Sequence, residues 1–195
     1  MSVWVIGLRV QASVLAGAFS LALCGAAAAQ GLSLLPSHAN TALGAAENND
    51  LAKMKVLIAK NVDLDFADNG GQTALIHVAN TGNLTLAKLL IDGGARVAIA
   101  DKTGNAPLHY AAERGNTEIV HLLLDSKAPI DQQNKDGATP LMLAAAHGKA
   151  AALKLLIERG ANVKKTDYTG RDALGWAQDQ RQSAIVQMLR QAGAK

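Results

Sequence analysis

Cysteine is almost absent. Cys24 is the single one in 195 residues, which excludes a disulfide framework and every multi-cysteine metal site. Aromatic side chains amount to 3%, too few to stack the successive bases of a nucleic acid. Charge is scarce as well: 18% of residues, for a net of +3. The pI near 9.1 therefore reflects a few unmatched lysines rather than a basic stripe, and Lys164–Lys165 is too short a run to make one. No glycine-rich loop ends in Gly-Lys-Ser/Thr, no Gly-x-Ser-x-Gly elbow occurs, and no His-Glu-x-x-His run exists. His38, His77, His109, His121 and His147 include no i, i+4 pair for a helical metal site. Asp63, Asp65 and Asp68 beside Gly70 fail the EF-hand spacing and lack its closing glutamate. Nothing here points to catalysis, a resident metal or a cofactor. What is plentiful is apolar residues, at 49%, enough for a packed core.

Residues 1–29 read as a secretory signal peptide. One basic side chain, Arg9, precedes a charge-free run from Val10 to Ala29 that ends in four alanines. That is the basic, apolar and small-residue sequence of an export signal, cut after Ala29 or a neighbouring alanine. A membrane anchor is the competing reading, since about 20 apolar residues span a bilayer. Gln11, Ser13, Gly17 and Ser20 dilute the run, however, and no basic cluster follows it. Lipid anchoring at Cys24 is the third reading, but Leu23 stands where a lipobox needs a small residue. Cleavage removes Arg9 and no acid, so 18 basic side chains face 16 acidic ones in the mature chain.

Residues 30–195 repeat every 33 positions. One ladder is Ala42, Leu75, Leu108, Leu141 and Leu174; another is Ala46, Ala79, Ala112 and Ala145, broken by Gln178. A third pairs Val56–Leu57, Leu89–Leu90, Leu122–Leu123, Leu155–Leu156 and Met188–Leu189. Glycine keeps the beat at Gly71, Gly104, Gly137 and Gly170, at Gly82, Gly115 and Gly148, and at Gly94, Gly160 and Gly193. Lys127 stands in the last of these series, which predicts a left-handed backbone there. Within a unit, Thr139 caps a short helix opened by Pro140 and running to about Ala146. Gly148 turns the chain into a second helix, with Ala152, Leu153, Leu155 and Leu156 on its buried face, and Gly160 ends it. No single unit can bury both faces alone, so neighbours must stack.

Gly104-Asn105-Ala106-Pro107-Leu108-His109-Tyr110-Ala111-Ala112 and Gly137-Ala138-Thr139-Pro140-Leu141-Met142-Leu143-Ala144-Ala145 resemble the opening of an ankyrin repeat. Leu155 to Val163 resembles that family's second helix and exit. The resemblance covers about residues 35–195 and implies an all-α ankyrin-repeat solenoid of five units, near 35–67, 68–100, 101–133, 134–166 and 167–195. Each unit would be a helix–turn–helix with a β-hairpin-like turn, and the concave side of the stack would bind other proteins. The resemblance also implies that His109 bonds backbone between repeats. The end units depart from the pattern: Asn40 and Asn49 replace threonine and glycine, and Asp172, Gln178 and Arg181 replace threonine, alanine and glycine. They are expected to be caps with a polar outer face.

On that frame the hairpin tips fall at Asn69, Gln72, Lys102, Thr103, Asn105, Lys135, Asp136, Tyr168, Thr169 and Arg171. The groove floor adds Asn80, Thr81, Glu113, Arg114 and His147, with His77 as a half-buried packing residue. Interfaces concentrate energy in Tyr and Arg, so Tyr168, Arg171 and Arg114 are the expected anchors. Replacing Tyr168 and Arg171 together by alanine is expected to leave folding intact. The expected function is a monomeric, non-catalytic scaffold that binds a protein partner in the periplasm or outside the cell, with no nucleic acid and no stable membrane insertion after cleavage. Alanine-rich cleavage and a mature chain without cysteine point to a bacterial exporter. Two rivals are a small-ligand, haem or metal carrier using His147, and a secreted effector engaging host proteins.

Overall fold

The computed structural model describes residues 41–194; the predicted signal peptide, the lipobox cysteine, His38 and Asn40 lie outside them. Among the described residues the chain forms ten helices and no strand. Five are inner helices: α1 (Ala42–Glu47), α3 (Ala74–Thr81), α5 (Pro107–Arg114), α7 (Pro140–Ala146) and α9 (Ala173–Asp179). Five are outer: α2 (Leu51–Ala59), α4 (Leu84–Asp92), α6 (Thr117–Asp125), α8 (Ala150–Glu158) and α10 (Ser183–Gln191). Each inner helix packs on its partner and on the next inner helix, and the inner row packs more closely than the outer. Side-chain size is the reason. Ala46, Ala79, Ala112 and Ala145 line the inner contacts at 5% exposure or less, whereas the outer row meets through leucines. Shorter spacing inside than outside curves the stack toward the inner helices.

Of the paired apolar ladder, one member goes inside. Leu57, Leu90, Leu123, Leu156 and Leu189 are buried, while Leu89, Leu122, Leu155 and Met188 are half-buried and Val56 is exposed. At about 25 cal/mol per Å² of apolar surface, each fully buried leucine contributes roughly 1.5–3 kcal/mol.

Two expectations at the amino end need correction. The cap of α1 is Thr41, not Asn40: its Oγ1 accepts the Gly44 N–H at 3.1 Å. Thr41 to Asn49 is one residue shorter than Thr73 to Gly82, so Leu43, and not Ala42, fills the slot of Leu75. The second concerns the outer faces. α10 turns Gln187, Arg190 and Gln191 outward, as a cap should, but α2 exposes Leu51 at 37% and Val56 at 50%.

The 33-residue beat is a beat of left-handed backbone. Asn49, Gly82, Gly115, Gly148 and Arg181 have positive φ, as do Asn61, Gly94, Lys127, Gly160 and Gly193. Asparagine tolerates this conformation, but Lys127 holds φ at +66° with a full Cβ. Its equivalents Gly94 and Gly160 have open space around a Cβ built there, so the strain is in the backbone alone.

His109 is wholly buried at the first turn of α5. Its Nδ1 accepts the Ala106 N–H at 3.1 Å, which leaves Nε2–H to donate to the Ala138 carbonyl of the next unit at 3.2 Å. The implied bond between repeats is therefore present. Burial lowers this imidazole's pKa from the ordinary 6.5, outweighing the raising effect of the Ala138 bond.

Lys127→Gly removes a left-handed Cβ cost of about 1–2 kcal/mol and adds about 0.5–1 kcal/mol of unfolded-chain entropy. The melting temperature should therefore hold or rise, by up to about 1.5 kcal/mol of stability; a clear fall would refute the account. For His109 the folded pKa lies below the unfolded one, so its contribution is complete above pH 6.5 and drains away as pH falls below it. Thermal melts from about pH 7.5 to about pH 5 should show a smaller loss in His109→Gln than in the parent chain. Equal losses would remove His109 as the cause.

Candidate protein-binding site

Among the described residues four tight hairpins link the units, at 68–72, 101–105, 134–138 and 167–171. All are built on one side-chain oxygen. Oδ1 of Asp68 accepts the Gly70 and Gln72 N–H groups at 2.7 and 2.9 Å. Asp101 does the same for Thr103 and Asn105, Asn134 for Asp136 and Ala138, and Asp167 for Thr169 and Arg171. Backbone closes each loop, as in Asp167 N–H to Arg171 carbonyl at 2.8 Å. Neighbouring hairpins then bond sideways: Lys102 N–H to the Gly70 carbonyl at 2.9 Å, Lys135 to Thr103 at 3.0 Å, Tyr168 to Asp136 at 3.3 Å. Gly137 shows why a glycine closes the turn. Its φ is +79°, and a Cβ there would stand 2.6 Å from the Tyr168 nitrogen.

Two of the central carboxylates carry a further donor nine residues on. The Tyr110 hydroxyl donates to Asp101 Oδ2 at 2.6 Å, and the Trp176 indole N–H to Asp167 Oδ2 at 2.9 Å. Burial pushes both carboxyls up, but the donated hydrogen bonds outweigh it and hold both below the ordinary 3.8. Burial, then the hydrogen bond to Asp101 and that carboxylate's charge, raises the Tyr110 phenol above its ordinary value. This Asp-to-aromatic spacing recurs in two units and is visible in the sequence.

The structure sorts the expected tip residues into two groups. Thr103, Asn105, Thr169 and Arg171 are held by the hairpins. The Thr103 and Thr169 hydroxyls donate to Asp101 and Asp167, and Asn105 donates to Thr103 and accepts from Asn134. Arg171 is the clearest case. Its guanidinium lies 3.1 Å from Asp167 and 3.0 Å from Asp179, and stacks 5.1 Å from the Trp176 ring centroid. Its replacement is therefore not structurally silent, contrary to the expectation for the Tyr168/Arg171 pair. In the second group, Lys102, Lys135 and Asp136 project with no side-chain hydrogen bond or ion pair among the described residues, and Tyr168 is 71% exposed.

On the groove floor, Arg114 Nε donates to Asn80 Oδ1 at 2.7 Å. His147 bonds the Leu143 carbonyl through Nδ1 at 3.0 Å and places Nε2 3.7 Å from Glu113. Asn80 and His77 are half-buried, and Thr81 and His147 are exposed. No group of three metal-ligating side chains converges among the described residues, and none of the described helices is long and apolar enough to cross a membrane. A cleft of about 610 Å³ does exist, but on the outer helices, lined by Leu84, Leu122 and Leu155 and not by His147.

Stacked two-helix units joined by a laterally bonded row of hairpins define a helical-repeat solenoid, a protein whose neighbours stabilise one another and whose surface is extended. A family model of ankyrin repeats in three copies matches residues 43–134 and again 126–195. The chain belongs to the ankyrin-repeat family, whose repeats mediate protein–protein contacts and are typically non-catalytic. A search of the curated proteins gives no match.

Asp167→Ala strands several part-buried donors and should cost about 1–3 kcal/mol, whereas Asp167→Asn should cost less, because Asn134 performs the same task. Tyr168→Ala with Arg171→Ala should melt below Tyr168→Ala alone. Because both carboxyls titrate below 3.8 when folded, their contribution is full above that pH and is lost on acidification beneath it. Circular-dichroism melts check all three; an unchanged Asp167→Ala would show that the hairpin does not need its oxygen.

Proposed function

We propose that this chain is an exported scaffold that binds one protein partner across the hairpin tips and the inner-helix groove. The observation that carries the reading is the division of labour at the tips. Backbone groups and aspartate or asparagine oxygens fix the loops, so the side chains of Lys102, Lys135, Asp136 and Tyr168 stand on a rigid base without serving it. A preformed surface loses little conformational entropy on binding, and Tyr is a common energetic anchor. Glu113, Arg114 and His147 complete the surface on the groove floor.

The export reading rests on residues 1–29, whose charge-free, alanine-ended run supports cleavage near Ala29 and a location in the periplasm of a bacterium or outside the cell. In that compartment the mature chain is monomeric and acts by display, without catalysis. The test is capture of an envelope-fraction partner on immobilised protein, beside a Tyr168→Ala, Lys102→Ala, Lys135→Ala variant. The parent should retain a defined protein that the variant loses by about tenfold or more, with equal melting temperatures. Retention by both places the interface elsewhere; haem or metal travelling with protein from its native compartment, and no partner, favours the carrier instead.

A further inference from the structure

We infer that the tips read an extended acidic segment of the partner, with its carboxylates against Lys102 and Lys135 and an apolar side chain against Tyr168. This rests on the protein-binding reading above and gives that site a ligand chemistry.

The inference comes from which charges the fold leaves unanswered. Asp68, Asp101 and Asp167 turn inward on their own loops. Arg171 is matched by Asp167 and Asp179, while Glu113 has only His147 beside it, a group that carries charge only when protonated. Among the described residues Lys102 and Lys135 have no such partner, and Arg114, one tier below, bonds the neutral Asn80. Against these three cations the tips and floor carry two carboxylates with no lysine or arginine beside them, Asp136 and Glu113.

Position and spacing narrow the ligand. Lys102, Lys135 and Tyr168 occupy the same slot in successive hairpins, each tied to the one before through its own N–H. Each hairpin supplies two passes of chain, and neighbouring passes lie about 4.8 Å apart, so the slot recurs roughly every 10 Å. A polyproline II segment presents the same face every three residues, about 9.3 Å. Acidic residues at i and i+3 therefore meet the two lysines, and an apolar residue at i+6 meets the Tyr168 ring. Asp136, one step beyond Lys135, repels a carboxylate placed beside it. The acids must then be spaced and not continuous.

The probe is a labelled heptapeptide, Glu-Ala-Pro-Glu-Ala-Pro-Leu, compared by fluorescence anisotropy with versions carrying Gln or Lys for both Glu. The full protein should bind the acidic peptide best, and the affinity should fall as salt rises. Lys102→Glu with Lys135→Glu should weaken it about tenfold or more, Tyr168→Ala should weaken it too, and Lys88→Glu on outer helix α4 should not. No binding of the acidic peptide, or binding indifferent to the lysine reversals, overturns the inference. If the Gln peptide binds equally well and is lost only with Tyr168→Ala, the groove reading survives and the acidic chemistry falls. If neither Tyr168→Ala nor the lysine reversals change any peptide's binding, both readings fail.

Discussion

The close approach of alanine-faced inner helices sets every other distance in the molecule. Because Ala79, Ala112 and Ala145 let successive inner helices nearly touch, the hairpins that precede those helices are drawn into backbone contact. His109 can then reach from its own helix to the Ala138 carbonyl of the next unit. A larger residue in the alanine row would widen the spacing and strain the lateral bonds and the histidine bridge together. The binding surface is in this sense a product of the core, since tip positions are fixed by what the helices allow.

That coupling explains why polar residues of one type have different roles. Thr73 and Thr139 cap helices α3 and α7 through their hydroxyls, while Thr103 and Thr169 brace the loops. Arg171 and Lys135 sit on neighbouring hairpins, yet one is locked between two carboxylates and the other stands free. Exposure alone does not separate them; the presence of a partner within the chain does.

Much of the fold was legible before any coordinates. The 33-residue step placed the apolar pairs, of which Leu57, Leu90, Leu123, Leu156 and Leu189 are the buried members, and the left-handed slot at Lys127, because a stack repeats its burial and its backbone strain together. Leu155, expected on the buried face, is half-buried. The slip at Thr41 was hidden because apolar Ala42 and Leu43 both suit a core position, and only the cap bond decides between them. The exposure of Leu51 and Val56 was missed for a different reason: a polar cap was expected at both ends, and sequence alone does not say which face of α2 lacks a neighbour. At the site, Tyr168 and the lysines could be placed at the tips by register. The capture of Arg171 could not, since it depends on Trp176 and Asp179 folding back onto the same loop.

The sideways bonds between hairpins also give the array a direction. In each junction the later unit donates its N–H and the earlier one offers its carbonyl, at Gly70, Thr103 and Asp136 in turn. Thr169 is next in that series, and beside it Gly170 has open space where Gly71, Gly104 and Gly137 have a neighbour's backbone. Among the described residues the row therefore presents at Thr169 an acceptor edge of the same chemistry as its internal junctions. Stacking along such a row is directional: a partner unit or chain laid on that edge meets a hydrogen-bond acceptor and a vacant glycine ledge, and must itself supply the N–H.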